Sequence, residues 1–445
     1  MKRIIILMLA CTMVLGAVAT SSATEFKAAG TLDMAFQWLD NPDPKSANNG
    51  DYFNAIQRLR TKIDIIANES LKGVYYLEVG TIRWGDPITL GRGSGGALGA
   101  DGVNVETKRL YLDFQVPDTE LQLRMGIQGL ALPSLANNNP VLDDDVAAIV
   151  ANYSFTDQYN IVAAWARAAD TENYSTNGSP TSKTKYDVFT VILGLNFEPV
   201  TLVPYIAYGA IGRNADVNSR AGGIITATAD RDAWWLGLSA KSNYWENLNL
   251  AFDFVWGWSD GSDMAVGAAG NPNSRDQSGF YALLHADYKM EYFTPTLDLW
   301  YSSGDDDSVT GDGEFMPEIS AGGLALTNLG TDGGFFDTTD NAFTTSGIGT
   351  FGAVLGFTDF SFIEDVTHDF KVAYMQGTSE YSSSSLVNTF PTDEDRAWEF
   401  NLDTNWQMYE NLAAIVELGY LNPDYKGVDG EEAVWKAAIG FQYSY

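Results

Sequence analysis

Residues 433–445 alternate without a break. Ala433, Trp435, Ala437, Ile439, Phe441, Tyr443 and Tyr445 fall on one face, and Val434, Lys436, Ala438, Gly440, Gln442 and Ser444 on the other. Successive side chains of a strand point to opposite faces, so this stretch predicts a strand with one apolar side. The same period recurs along the chain. Leu248, Leu250, Phe252, Phe254, Trp256 and Trp258 alternate with Asn249, Asp253 and Gly257, and Trp398, Phe400, Leu402, Thr404 and Trp406 alternate with Glu399, Asn401, Asp403, Asn405 and Gln407. Comparable runs lie near 25–38, 53–67, 74–85, 109–116, 121–128, 148–155, 159–168, 185–197, 201–212, 233–241, 279–289, 295–303, 354–363, 370–378 and 412–421. That makes eighteen strands. The runs at 148–155 and 354–363 alternate least cleanly, so the range is sixteen to eighteen, with eighteen favoured. In 159–168 the alternation does not decide which face Trp165 and Arg167 take.

The connections alternate between short and long. Three short ones resemble each other, with Glu69-Ser-Leu, Glu246-Asn-Leu and Glu410-Asn-Leu, while 170–184, 213–232, 260–278, 304–353 and 379–395 read as long, polar, Gly-rich and acidic. Alternation of this kind gathers all long loops at one end. The prediction is an all-β, antiparallel, up-and-down transmembrane β-barrel with short periplasmic turns and long external loops. A barrel of sixteen to eighteen strands leaves an aqueous channel. No segment before the first strand is available as a plug, so an open tube is expected.

The N-terminus reads as a cleaved secretory signal over residues 1–23: Lys2 and Arg3, an apolar stretch over 4–18, and the small residues Ser21, Ser22 and Ala23. The remaining 24–445 form one barrel domain. Cys11, the only cysteine, falls in the signal, so the exported chain has no disulfide. The chain carries 26 basic and 58 acidic residues, a net of −32. That balance argues against nucleic acid as a partner. After Ala23 no apolar run is long enough for a membrane helix. Outward tryptophans such as Trp38, Trp256, Trp258, Trp398 and Trp406 suit the girdles of a barrel at the membrane–water boundary.

Candidate chemistry is concentrated in basic residues. Arg58, Arg60, Lys62, Arg109 and Arg124 all fall on polar faces of neighbouring strands, in an otherwise acidic chain. The next connection, about 129–147, carries Asp143, Asp144 and Asp145, and if it folds inward, acids face bases across the water path. Opposed charges at a narrowing select solutes by charge. The plainer reading is that these bases pair with acids on adjacent strands and stabilise the wall. Tyr111, Tyr281 and Trp300 are candidates for a stacking track for sugars, or for space-filling. Asp305, Asp306, Asp307, Asp312 and Glu314 suggest Ca²⁺ only weakly, because their spacing fits no calcium loop, and no metal or cofactor is expected. His285 and His368 are the only histidines, and neither sits in a recognisable nucleophile motif, so no catalytic residue is assigned.

Three stretches and the aromatic C-terminus resemble homotrimeric outer-membrane porins of sulfate-reducing Gram-negative bacteria: 108–119 (KRLYLDFQVPDT), 124–133 (RMGIQGLALP) and 355–365 (LGFTDFSFIED). The resemblance implies an outer-membrane trimer of barrels, in contact with lipid and lipopolysaccharide, for passive diffusion of small hydrophilic solutes. It also implies an inward third external loop, by position 129–147. The eighteen-strand count departs from the sixteen of general porins and suits a substrate-selective channel for sugars or organic anions. A barrel enzyme or a structural surface protein is the remaining alternative. The inner basic patch predicts a mild anion preference, because local charge outweighs the distant acidic loops at physiological salt.

Overall fold

The computed structural model describes residues 24–42, 50–87, 95–99, 104–170, 185–212, 230–260, 276–305, 312–336, 342–380, 391–426 and 432–445. The expected signal, 1–23, lies outside them. The described residues form eighteen strands: β1 (Glu25–Asp40), β2 (Tyr52–Asn68), β3 (Leu71–Arg83), β4 (Val105–Gln115), β5 (Leu121–Ala131), β6 (Asp143–Thr156), β7 (Tyr159–Asp170), β8 (Lys185–Phe197), β9 (Val200–Ile211), β10 (Arg231–Trp245), β11 (Leu248–Ser259), β12 (Gln277–Tyr288), β13 (Thr294–Ser302), β14 (Thr350–Ile363), β15 (Val366–Gly377), β16 (Arg396–Tyr409), β17 (Leu412–Asp424) and β18 (Val434–Ser444). Each pairs antiparallel with its chain neighbours, and β18 pairs with β1, so the sheet is a closed barrel. The two least regular runs are full strands, β6 and β14.

The alternation sorts the barrel into two surfaces. On β16, Trp398, Phe400 and Leu402 are 48%, 42% and 42% exposed, while Ala397, Glu399 and Asn401 between them are buried. An outer face this apolar is stable against lipid, not water. Near the long-loop end, aromatic pairs follow one another from strand to strand, among them Tyr208–Trp234 at 4.5 Å, Tyr374–Trp398 at 5.0 Å, Tyr420–Trp435 at 4.4 Å and Trp38–Phe53 at 5.4 Å. A second set, including Tyr153–Phe155 and Tyr159–Phe197, marks the turn end. Register also settles β7. Trp165 stands between Ile149 and Phe189 on the outer face, and Arg167 between Ala147 and Asp187 on the same face.

The lumen is not the open tube expected. Two connections enter it, 132–142 between β5 and β6 and, between β13 and β14, the described residues 312–336 and 342–349. The second, read from sequence as polar and acidic, contributes Met316, Ile319, Leu324, Leu326, Leu329, Phe343 and Ile348 to a buried cluster, together with Leu132, Val141 and Leu142 of the first. The cluster packs on the inward side chains Trp235, Tyr281 and Trp300. Trp235 Nε1 donates to the Pro317 carbonyl at 2.7 Å. Gly279 on β12 permits this docking, because a Cβ there would strike the Met316 backbone. Tyr281 and Trp300 are 2% and 3% exposed, so they serve as a packing floor, not a track for sugars.

Candidate functional site

Polar clamps hold the two luminal segments to the wall. Asp253 on β11 accepts the Ser134 hydroxyl at 2.6 Å and the backbone N–H groups of Leu135, Ala136 and Asn137 at 2.8, 2.9 and 3.3 Å. The first segment also donates from Asn139 to the Tyr205 hydroxyl on β9, and its Pro133 carbonyl receives Ser239 of β10. The two segments are joined by backbone bonds from Ile319 and Ser320 to the Val141 carbonyl and from Gly322 to Asn139.

The second segment is held on the far side. Glu399 accepts the Thr327 hydroxyl at 2.7 Å and the N–H groups of Leu329 and Gly330 at 3.0 and 2.9 Å. Asn401 and Asn328 exchange bonds. Lys436 donates to the Asn328 carbonyl at 2.8 Å and pairs with Glu417 at 3.1 Å, and Glu417 accepts the Phe335 N–H. Gln37 on β1 donates to the Phe336 carbonyl. A buried carboxylate is tolerated only when donors converge on it, and charge-assisted bonds of this kind are the strong ones. Glu318, on the same segment, is buried without such partners, and burial pushes its carboxyl up to about 8.

None of these clamping residues was singled out from the sequence. The available signal was the inward, half-polar face of β16 to β18, where Glu399, Asn401, Asp403, Glu417 and Lys436 occupy positions a solvated wall does not require. A second signal was the apolar content of a connection taken for a solvated loop.

The five predicted bases do lie on neighbouring strands β2, β4 and β5, in three situations. Arg58 is 9% exposed, with its guanidinium 4.8 Å over the Phe336 ring, and so lies beneath the second segment. Arg109 binds Asp145 at 2.6 Å, and Lys108 joins the same carboxylate at 2.9 Å. Above the Leu110–Ile127 pair β4 and β5 have no ladder partners in each other, and the Arg109 guanidinium fills the opening over Gly129, whose Cβ it would displace.

Arg60, Lys62 and Arg124 remain presented to the lumen. Their side chains are 28%, 43% and 40% exposed, whereas their partners Glu78, Asp64 and Asp113 are 13%, 22% and 4% exposed. The base stands toward water and the acid behind it in each pair. Tyr76 and Tyr111 lie beside them, Tyr111 with its ring 5.0 Å from the Arg124 guanidinium. A cleft of about 490 Å³ opens at the turn end of this wall, bordered by Lys72, Asp113, Gln115, Gln122 and Asn152.

The three predicted acids do not sit in an inward loop. They begin strand β6, paired with Ala131, Leu130 and Gly129, so the inward loop is 132–142, shorter than the 129–147 expected. The pleat separates them. Asp144 faces inward and accepts the Ser320 hydroxyl at 2.8 Å, while Asp143 and Asp145 share the outer face of Ala147 and Ile149. Acids and bases therefore do not oppose each other across water here.

On the wall opposite, His285 Nδ1 lies 2.6 Å from Asp298 and its Nε2 3.4 Å from Asp287, which also accepts Asn249. His368 Nδ1 lies 2.9 Å from the Thr404 hydroxyl, on the face of Phe370. Asp306 and Asp307 lie outside the described residues. Among the described residues no group of three or more His, Cys, Asp or Glu is arranged to hold a metal ion.

No family model and no curated protein matches the chain. Solved structures do. Pseudomonas aeruginosa OpdK with vanillate superposes with a TM-score of 0.55 at 9% identity, covering 95% of this chain and 98% of that one. The outer membrane protein OprD from the same organism gives 0.53 at 11% identity, covering 94% of each chain. Acinetobacter baumannii OccAB3 gives 0.54 at 12% identity, covering 95% and 99%. At such identities the likeness is one of fold, that of the closed eighteen-stranded antiparallel barrel.

Proposed function

We propose that this protein is an outer-membrane channel for passive diffusion of small hydrophilic solutes, and that its narrowed lumen favours small organic anions. The orientation of the three wall pairs carries this reading. Arg60, Lys62 and Arg124 point at water and their acids lie behind, so a passing solute meets positive charge first. The two luminal segments favour a selective passage over a wide sieve. Vanillate, the ligand named with OpdK, is an aromatic carboxylate, and that chemistry suits a wall of bases beside Tyr76 and Tyr111. The reading needs no catalytic residue, cofactor or metal.

The apolar outer face supports a bilayer location in contact with outer-membrane lipid and lipopolysaccharide, and residues 1–23 support export through a cleaved signal. A homotrimer, implied by the resemblance to porins of sulfate-reducing bacteria, has one support in the fold. The run of aromatic contacts extends from Phe189 on β8 through β18 to Phe53 on β2. On β5 to β7 the outward positions toward the loop end hold a single aromatic, Trp165, among small or charged residues: Ala131 and Ala147, with Asp145 and Arg167. Small side chains let two barrels approach closely.

Purified protein in a planar bilayer under a KCl gradient tests the proposal. Ohmic steps with a reversal potential on the anion side are expected, and in liposome swelling benzoate should enter faster than a sugar of similar size. Absence of conductance overturns the channel; faster sugar entry overturns the anion preference.

A further inference from the structure

In a closed barrel of eighteen strands, β12 lies nine strands from β3 and so stands across the lumen from the basic wall. Depth matches as well. His285 lies three residues before the end of β12 and Asp298 four after the start of β13, while Lys62 lies six before the end of β2 and Arg124 three after the start of β5. His285 is held between two carboxylates, at 2.6 Å from Asp298 and 3.4 Å from Asp287, and its side chain is 28% exposed. The groups packed round it are few. β11 offers Ala251 directly opposite and, further along, Asn249 and Asp253. Asp253 is occupied by the N–H groups of the 132–142 loop. On β12 itself the charged neighbour is Asp287, and on β13 it is Asp298.

We infer that His285 determines charge selectivity at the turn end of the passage, through the charge its imidazole carries between Asp287 and Asp298. This rests on the channel reading above and adds a residue and a direction to it. With the imidazole neutral the cluster carries two negative charges; with it protonated, one. Histidine is the side chain whose charge ordinarily changes between pH 5 and 8. Loss of one negative charge from the wall facing Arg60, Lys62 and Arg124 lowers the attraction for cations and the repulsion of anions in the same water. A single charge about 8 Å from the path, partly screened, alters the chloride-to-potassium permeability ratio by roughly two- to threefold.

The test is the reversal potential of the full-length protein under a KCl gradient at pH 8 and pH 5.5, compared with His285→Gln, which keeps a hydrogen-bonding side chain and cannot take the charge. The native protein should become more anion-selective by that factor on acidification, and H285Q should still conduct but lose the shift. The chain has two histidines, so the imidazole signal absent from H285Q identifies His285 by NMR, and its midpoint should match that of the reversal potential. A native-sized pH shift in H285Q, or no shift in the native protein, overturns the inference while leaving a conducting channel. Cation selectivity at both pH values with a His285-dependent shift upholds it and overturns only the anion preference. A protein that does not conduct at any pH overturns both.

Discussion

Asp253 of β11 and the backbone N–H of Leu135 meet at 2.8 Å although 118 residues separate them. The bond spans the lumen, from the connection after β5 to a strand six positions further round. It converts an external loop into an internal partition.

Replacing Asp253 with Ala should therefore widen the passage. Four donors lose one acceptor, and a charge-assisted bond contributes about 1.5–3 kcal/mol, so docking of 132–142 should weaken by a few kcal/mol. Single-channel recording should show larger, noisier steps in D253A. Steps indistinguishable from native would mean that the packing of Leu132, Val141 and Leu142 holds the loop by itself.

Lys436→Met should be more damaging than its conservative shape suggests. It strands the buried Glu417 carboxylate and leaves the Asn328 carbonyl without its donor. Breaking one side of a buried pair costs roughly 3–5 kcal/mol. Hydrogen exchange over 326–336 should accelerate by orders of magnitude while the strands stay protected. Unchanged exchange there would remove Lys436 from the clamp.

Arg124→Gln should lower anion preference more than removal of one charge from a free surface would. Asp113, now screened by its partner, becomes an exposed negative site in the wall. A two- to threefold fall in the chloride-to-potassium permeability ratio is expected, of the order estimated for one nearby charge. A ratio unmoved by R124Q and by R60Q together would show that this wall is not the selective one.

Docking of the second segment should weaken as pH rises. Burial lifts the Glu318 carboxyl from its ordinary 4.5 to about 8, so the docked form holds a proton that the released form gives up. The stabilisation is complete below about pH 4.5 and is lost progressively as pH rises through 8. Between pH 5 and pH 7 the change is about 1–3 kcal/mol. Exchange over 316–326, corrected for intrinsic rates, should rise with pH in the native protein and be flat in E318Q. The same slope in both would place the proton elsewhere.

Trp at Ala147 distinguishes lipid from a second copy of the chain on the outer face of β6. Against lipid the larger side chain adds apolar contact and should be neutral or mildly stabilising. Between two barrels it should drive the oligomer toward monomer, read by native mass spectrometry in detergent. A monomeric native protein would end the trimer proposal outright.

The strand plan was legible because alternation is a local property. Trp398, Phe400 and Leu402 declare their face within five residues, and even β6 and β14 kept enough of the period to be counted. Trp165 and Arg167 were undecidable because alanine flanks both on the inner side, so polarity did not label a face until Phe189 and Asp187 were placed beside them. Pleat also decided the acidic triplet. Three consecutive aspartates in a strand cannot all face one way, and only Asp144 faces the lumen. The luminal segment was illegible for a different reason. Its apolar residues follow no period, since its described residues form neither strand nor helix, and Glu399 reads as a solvated wall residue until Leu329 and Gly330, some seventy residues earlier, arrive above it.

The anchorage of that segment straddles the place where the barrel's first and last strands join. Asn328 is held from β18 by Lys436, while Phe336 is held from β1 by Gln37 and covered from β2 by Arg58. One stretch of chain thus laps the seam from inside. A barrel still unzipped between β1 and β18 has nowhere complete to seat it, so sealing of the wall and narrowing of the bore are one assembly step, and a half-assembled barrel should leak more than a finished one.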